Sequence, residues 1–81
     1  MKVIMVPVEM IAKFKDGNPT PARFSYNGKT IDVEQIIERR AEILAGNPMK
    51  IYSCQSEING EVKRYELKFE LKTCKWFLYK M

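Results

Sequence analysis

The chain has no histidine. That removes the side chain that titrates near neutral pH, and with it the most frequent general acid or base and the commonest metal ligand. Cysteine is scarce too: Cys54 and Cys74 are the only two, too few for a zinc site or a disulfide framework. No stretch approaches the roughly 20 consecutive apolar residues of a membrane span. The opening Met1-Lys2-Val3-Ile4-Met5-Val6-Pro7-Val8 imitates a signal peptide, but Glu9 interrupts it and no small-residue cleavage pattern follows. Low-complexity tracts and linkers are missing as well. These absences predict a soluble cytoplasmic protein with reduced thiols, no metal, no cofactor, no membrane contact and no enzymatic activity.

What remains is enough for one domain over residues 1–81, with a modest core. Hydrophobic residues make up 46% of the chain, so it is not disordered. Fourteen basic against ten acidic side chains leave +4, a mild bias toward anionic partners.

The stretch from Met49 to Met81 organises the rest. Asn59-Gly60 lies between two alternating apolar runs, and both central residues of a type I′ turn need φ > 0, so this is a hairpin signal. A two-residue loop fixes the register. Ile58 then faces Glu61, Cys54 faces Tyr65, Tyr52 faces Leu67 and Lys50 faces Phe69. Tyr65, Leu67, Phe69 and Leu71 form an apolar face, while Arg64, Glu66, Lys68, Glu70 and Lys72 form a charged one. Thr73-Cys74 is the expected centre of the next turn, setting Leu71 against Trp76 and Phe69 against Leu78, with Phe77 and Tyr79 on the charged face. A one-residue slip would exchange the two aromatic pairs, so both pairings stay open. This register also places Cys54 and Cys74 about 20 Å apart along the ladder, too far for a disulfide.

Earlier in the chain, Ile4, Val6, Val8, Met10, Ala12 and Phe14 alternate with polar residues as a long first strand, and Pro7 marks an edge or bulge in it. Asp16-Gly17-Asn18-Pro19-Thr20-Pro21 reads as a loop. Phe24-Ser25-Tyr26 and Lys29-Thr30-Ile31 flank Asn27-Gly28 as a second hairpin, pairing Phe24 with Ile31 and Ala22 with Val33. Asp32 with Gln35 imitates a capping box. Val33, Ile36, Ile37, Ala41 and Leu44 fall near one helical face, and Gly46 before Pro48 makes a stop. The expectation is a strand to about Val33 and a short helix within Glu34 to Ala45, although Ile31, Val33 and Ile37 also suit a longer strand.

Three sets of residues carry a resemblance: Cys54-Gln55-Ser56-x-Ile58-Asn59-Gly60, the run Tyr65 to Leu71, and Thr73-Cys74-Lys75-Trp76-Phe77-Leu78. With Pro7 to Phe14, Pro19-Thr20-Pro21 and Leu44-Ala45-Gly46-Asn47, the chain resembles a group of small proteins of anaerobic Gram-positive bacteria with no known activity. Many members of that group carry a longer charged insertion where this chain has the tight Asn27-Gly28 turn. More distantly, Pro21-x-x-Phe24-x-Tyr26-x-Gly28 resembles another bacterial family in which an aromatic-rich hairpin precedes a short valine-rich strand. The resemblance implies a compact, mostly β domain with no catalytic residues to carry over.

The whole is expected to be mainly β, a five- or six-stranded antiparallel barrel of SH3-like or OB-like form with one short helix. Three surfaces are candidates for function. Phe77 and Tyr79 among Lys68, Lys72 and Lys75 would stack bases and meet phosphates of a single-stranded nucleic acid, against the plainer reading that these rings are packed. The Pro7 strand and the aromatic face would take a protein partner or a second copy of the chain, helped by adaptable methionines. Cys74, beside Lys72 and Lys75, would be an exposed thiol. The basic pairs Arg39-Arg40, Lys63-Arg64 and Lys13-x-Lys15, and the stripe Glu34, Glu38 and Glu42, read as solvated surface. Non-catalytic protein binding or self-association is the leading functional expectation, with nucleic-acid binding the alternative.

Overall fold

A computed structural model describes residues 1–81. Seven strands follow in order: β1 Val3–Lys15, β2 Asn18–Tyr26, β3 Lys29–Asp32, β4 Gln35–Leu44, β5 Asn47–Ile58, β6 Glu61–Glu70 and β7 Lys75–Lys80. They form one antiparallel sheet of order β3-β2-β1-β7-β6-β5-β4, curled into a half-barrel that holds 79% of the residues. The chain ends are zipped together, since Lys2 and Met81 exchange backbone hydrogen bonds of 2.9 and 3.0 Å.

The hairpins follow from backbone sterics. Asp16-Gly17, Asn27-Gly28, Ala45-Gly46 and Asn59-Gly60 all have φ > 0 at both residues, the requirement of a type I′ turn whose twist matches that of the flanking strands. Each closes a ladder whose first pair flanks it: Lys15 with Asn18, Tyr26 with Lys29, Leu44 with Asn47, and Ile58 with Glu61. The β5–β6 pairs Cys54 with Tyr65, Tyr52 with Leu67 and Lys50 with Phe69 match the register expected from the Asn59-Gly60 loop. Phe24 pairs with Ile31, and the Val33 amide donates to the Ala22 carbonyl at 2.9 Å.

Several expectations are corrected. The helix between Glu34 and Ala45 is absent, because Gln35–Leu44 is strand β4. A bulge between Ile36 and Glu38 breaks the two-residue alternation and leaves the apolar residues at a spacing that imitates a helix. The five- or six-stranded SH3-like or OB-like barrel gives way to seven strands in an open half-barrel. The loop read over Asp16 to Pro21 shrinks to Asp16-Gly17, and Pro19 and Pro21 lie within β2, both buried. They are tolerated there because β3 reaches only as far as Arg23, so this half of β2 has a ladder on the β1 side alone. Pro7 is accommodated the same way: β1 pairs with β7 over Val3 to Val8 and with β2 only from Glu9 onward.

The β6–β7 connection also differs. It spans Leu71 to Cys74 rather than the two residues Thr73-Cys74, pairing Phe69 with Trp76 and Leu67 with Leu78. Thr-Cys would have to hold two left-handed residues, whereas the longer loop needs only Cys74 there, at φ 59°. The Cys74 amide closes the loop onto the Glu70 carbonyl at 2.8 Å. This shift of two residues preserves the faces, so Trp76 and Leu78 are buried and Phe77 and Tyr79 lie opposite them.

The concave face holds the core: Phe24, Ile31, Tyr52, Cys54, Tyr65, Leu67, Phe69, Trp76 and Leu78. The β1 residues Ile4, Val6, Val8, Met10 and Ala12 pack against it half-buried. Rings meet at tilted angles, Phe69 to Trp76 at 4.9 Å, Tyr52 to Trp76 at 5.4 Å and Phe24 to Tyr65 at 5.5 Å between centroids. Buried Ser56 ties the corner between β3 and β4 to β5. Its hydroxyl donates to the Asp32 carbonyl at 2.6 Å, accepts from the Glu34 amide at 3.2 Å, and lies 2.6 Å from the Tyr65 hydroxyl. Asp32 and Gln35, which imitate a capping box, thus flank a corner instead of opening a helix.

Candidate binding surfaces

The outer face of β6 and β7 carries the expected aromatic and lysine candidates. Phe77 pairs across the strands with Lys68, and both rings, Phe77 and Tyr79, are half-buried. Lys68 itself is only 5% exposed. Its ammonium sits 3.0 Å from the Glu42 carboxylate and 3.8 Å from the centre of the Tyr79 ring, so one cation is shared by an ion pair and a π face. Lys72 and Lys75 are exposed, Lys72 in the β6–β7 loop and Lys75 at the start of β7 opposite Glu70. Hydrogen bonds from Thr73 and Asn47, with the nearby charges of Lys75 and Lys72, hold the Glu70 carboxyl below its ordinary range. The five residues therefore form two groups, Lys68 with Phe77 and Tyr79, and Lys72 with Lys75.

This face is braced from β4. Arg40 reaches across β5 to Glu66 at 3.0 Å and to the Ser53 hydroxyl at 3.1 Å, just as Glu42 reaches Lys68. Cross-strand partners share a face, so Arg40, Glu42, Lys68 and Glu70 surround Ile51 and Met49 and leave them 2% and 7% exposed. Long side-chain stems cover apolar surface while their charged ends stay paired.

A second site lies where the half-barrel stays open. Near the Asn27-Gly28 hairpin β2 is zipped to β3, and beyond the corner at Val33 and Glu34 the chain continues as β4 along β5. The first residues of β2 and the body of β4 diverge, leaving an open cleft of about 530 Å³ between Lys15 to Thr20 on one side and Arg39 to Ala41 on the other, with Lys50, Ile51 and Tyr52 behind. Side-chain bonds cross its base: Lys50 donates to the Asn18 amide oxygen and Tyr52 to the Pro19 carbonyl. Arg39 pairs with core residue Tyr52, which assigns it to the concave side, whereas Arg40 is drawn to the opposite face by Glu66. The outer edge of β4 has no ladder, and no backbone bond outside the strand ladders reaches it.

Neither cysteine is in a disulfide, and the Cys54 thiol donates to the Tyr52 carbonyl at 3.6 Å. Cys54 is buried and Cys74 exposed. Burial pushes the Cys54 thiol up to about 12, with Arg39 acting weakly in the other direction, so Cys54 is an inert core residue. No group of three or more His, Cys, Asp or Glu side chains is placed to hold a metal ion, and no helix is long and apolar enough to cross a membrane.

Comparison with protein families, with curated proteins and with solved structures gives no match to this chain. From the sequence, Lys15 and Arg39 read as solvated surface and Lys50 only as a partner of Phe69. Once Ala45-Gly46 is a two-residue hairpin loop, Leu44 stands against Asn47 and, counting back, Arg39 against Tyr52. Gly46 before Pro48 imitates a helix stop and carries no asparagine or aspartate ahead of it to mark the turn.

Proposed function

We propose that this chain is a non-catalytic protein-binding domain that accepts an extended segment of its partner along the outer edge of β4. One observation carries the reading: a strand of 10 residues has a ladder on one side only and borders an open cleft on the other. Edge strands of small proteins are usually short, covered or twisted away, because their free amides and carbonyls are a template for another chain. β4 is long and bears exposed Ile37, Ile43 and Leu44. Its bulge lies near one end, so the straight part from Glu38 to Leu44 is free to pair. In strand addition the main chain supplies affinity and alternate side chains supply selectivity. The added strand comes from another protein or from a second copy of this chain, and a cytoplasmic setting suits its free thiols.

Single-stranded nucleic-acid binding through Phe77, Tyr79, Lys68, Lys72 and Lys75 ranks second. The two rings share a face, but Lys68 is committed to Glu42, and Glu66 and Glu70 add negative charge there.

Amide chemical shifts of the isotope-labelled protein distinguish the readings. Titration with short strand-forming peptides, or with the protein itself at rising concentration, is expected to move the resonances of β4 and of Asn18 to Thr20. Shifts confined to Phe77 through Tyr79 on adding single-stranded DNA or RNA, and lost in Phe77→Ala/Tyr79→Ala, would give the site to nucleic acid. An unperturbed β4 with every peptide and a constant sedimenting mass would end the strand-addition reading.

A further inference from the structure

The charge around the seam bears on what kind of strand fits it. Four cations line the cleft: Lys15 at the end of β1, Arg39 and Arg40 on β4, and Lys50 on β5; Arg40 is paired with Glu66 on the outer face, which leaves Lys15, Arg39 and Lys50. The only acid among the lining residues is Asp16, in the β1–β2 turn. Every ion pair in the molecule involves other groups: Arg23 with Asp32, Arg40 with Glu38 and Glu66, Lys63 with Glu61, and Lys68 with Glu42. Lys50 has a neutral amide oxygen as its partner, and Lys15 and Arg39 have no carboxylate in reach. The outer face shows the contrast, since there Arg40 and Lys68 are matched one for one by Glu66 and Glu42. Arg40 and Lys68 are thus balanced beside the covered part of the sheet, whereas Lys15, Arg39 and Lys50 converge on the open cleft without an ion pair.

The two rims of the seam differ in what their backbones offer. Pro19 and Pro21 on the β2 side carry no amide hydrogen, so donors for an incoming strand come from β4. Side chains of a strand laid along β4 would alternate between the two faces. On the concave side β4 presents Arg39, Ala41 and Ile43 at alternate positions, with Arg39 nearest the other two cations. A guanidinium meets a carboxylate through two parallel hydrogen bonds, and Ala41 beside it leaves room for that contact. Ile43, 72% exposed, suits an apolar neighbour.

We infer that the segment accepted at this seam is an acidic strand, placing a carboxylate against Arg39 within reach of Lys15 and Lys50, and an apolar side chain toward Ile43. This rests on the strand-addition reading above and names its partner's chemistry.

The test uses the full chain and two acetylated, amidated peptides of about seven residues, one alternating valine with glutamate and the other valine with glutamine. Fluorescence anisotropy is read at low and moderate salt. The glutamate peptide is expected to bind at least about tenfold more tightly at low salt, with the gap narrowing as salt rises. Arg39→Gln and, separately, Lys15→Gln are expected to reduce the preference; both residues are exposed, and circular dichroism checks that each variant keeps its fold. Equal affinity for the two peptides, or a preference that survives both substitutions, would overturn the acidic-partner inference while leaving strand addition standing. Binding of neither peptide would overturn both.

Discussion

Ala45 occupies a position that the backbone would give to asparagine, aspartate or glycine. Of the four type I′ turns, three have Asp16, Asn27 and Asn59 as their first residue, and the fourth has Ala45 at φ 51°. Asparagine and aspartate tolerate the left-handed region because their short polar side chains bond locally to the backbone, whereas alanine brings only the clash of its Cβ with the following carbonyl. Ala45 is exposed, so nothing in the packing requires it. Ala45→Asn is therefore expected to raise stability by about 0.5–1 kcal/mol, or roughly 3–6 °C in Tm for a domain of this size. Urea and thermal unfolding of the pair of proteins measure it. A variant no more stable than the parent would mean that the β4–β5 ladder, rather than the turn, sets the conformation of this hairpin.

The same residue explains how much could be read from the sequence. Where a turn carries its own chemistry, as at Asn59-Gly60 and Asn27-Gly28, the register of the flanking strands is legible pair by pair, from Ile58 opposite Glu61 to Lys50 opposite Phe69. Where alanine holds the left-handed position, no local signal separates a hairpin from a helix end, and the bulge at Ile37 removes the alternation that would have decided. The face bearing Phe77 and Tyr79 was legible because a shift of two residues leaves faces unchanged. The seam was not, since it arises from the failure of two strands distant in sequence to pair. Nor was the network that β4 lays over β5. Lys68 and Glu42 are 3.0 Å apart with side chains 7% and 26% exposed, so truncating the lysine strands a partly buried carboxylate. Lys68→Ala is expected to cost about 2 kcal/mol, less than for a fully buried pair because Glu42 keeps some contact with water. Adding Glu42→Gln should then restore part of the loss, as the uncompensated charge is gone. Chemical denaturation of the two single variants and the double one reads the coupling. Strictly additive losses would show that Lys68 acts only by covering Ile51.

At the scale of the whole molecule, an open half-barrel keeps its interior dry by packing aromatic and thiol groups that titrate at high pH. Burial pushes Cys54 from 9.0 up to about 12 and Tyr65 from 10.0 up to about 12, the latter partly offset by the Ser56 hydroxyl; burial raises Tyr52 as well. In the unfolded chain these groups lose their protons near the ordinary values, while the native state holds them. The resulting stability is complete below pH about 9, where both states are protonated, and falls as pH rises toward 12. Cys54 and Tyr65 together represent at most about 7 kcal/mol, of the same order as the total stability of about 4–12 kcal/mol for a chain of this length. The domain is therefore expected to unfold cooperatively between pH about 10 and 12, with far-ultraviolet circular dichroism and tyrosinate absorbance changing together. Cys54→Ala, which lacks one of the two groups, should lose less of its own neutral-pH stability over that range even though its small cavity lowers the starting value. Tyrosines that all ionise near pH 10 while the sheet signal stays intact would mean that water enters the concave face through the seam, and that the core is wetter than its packing implies.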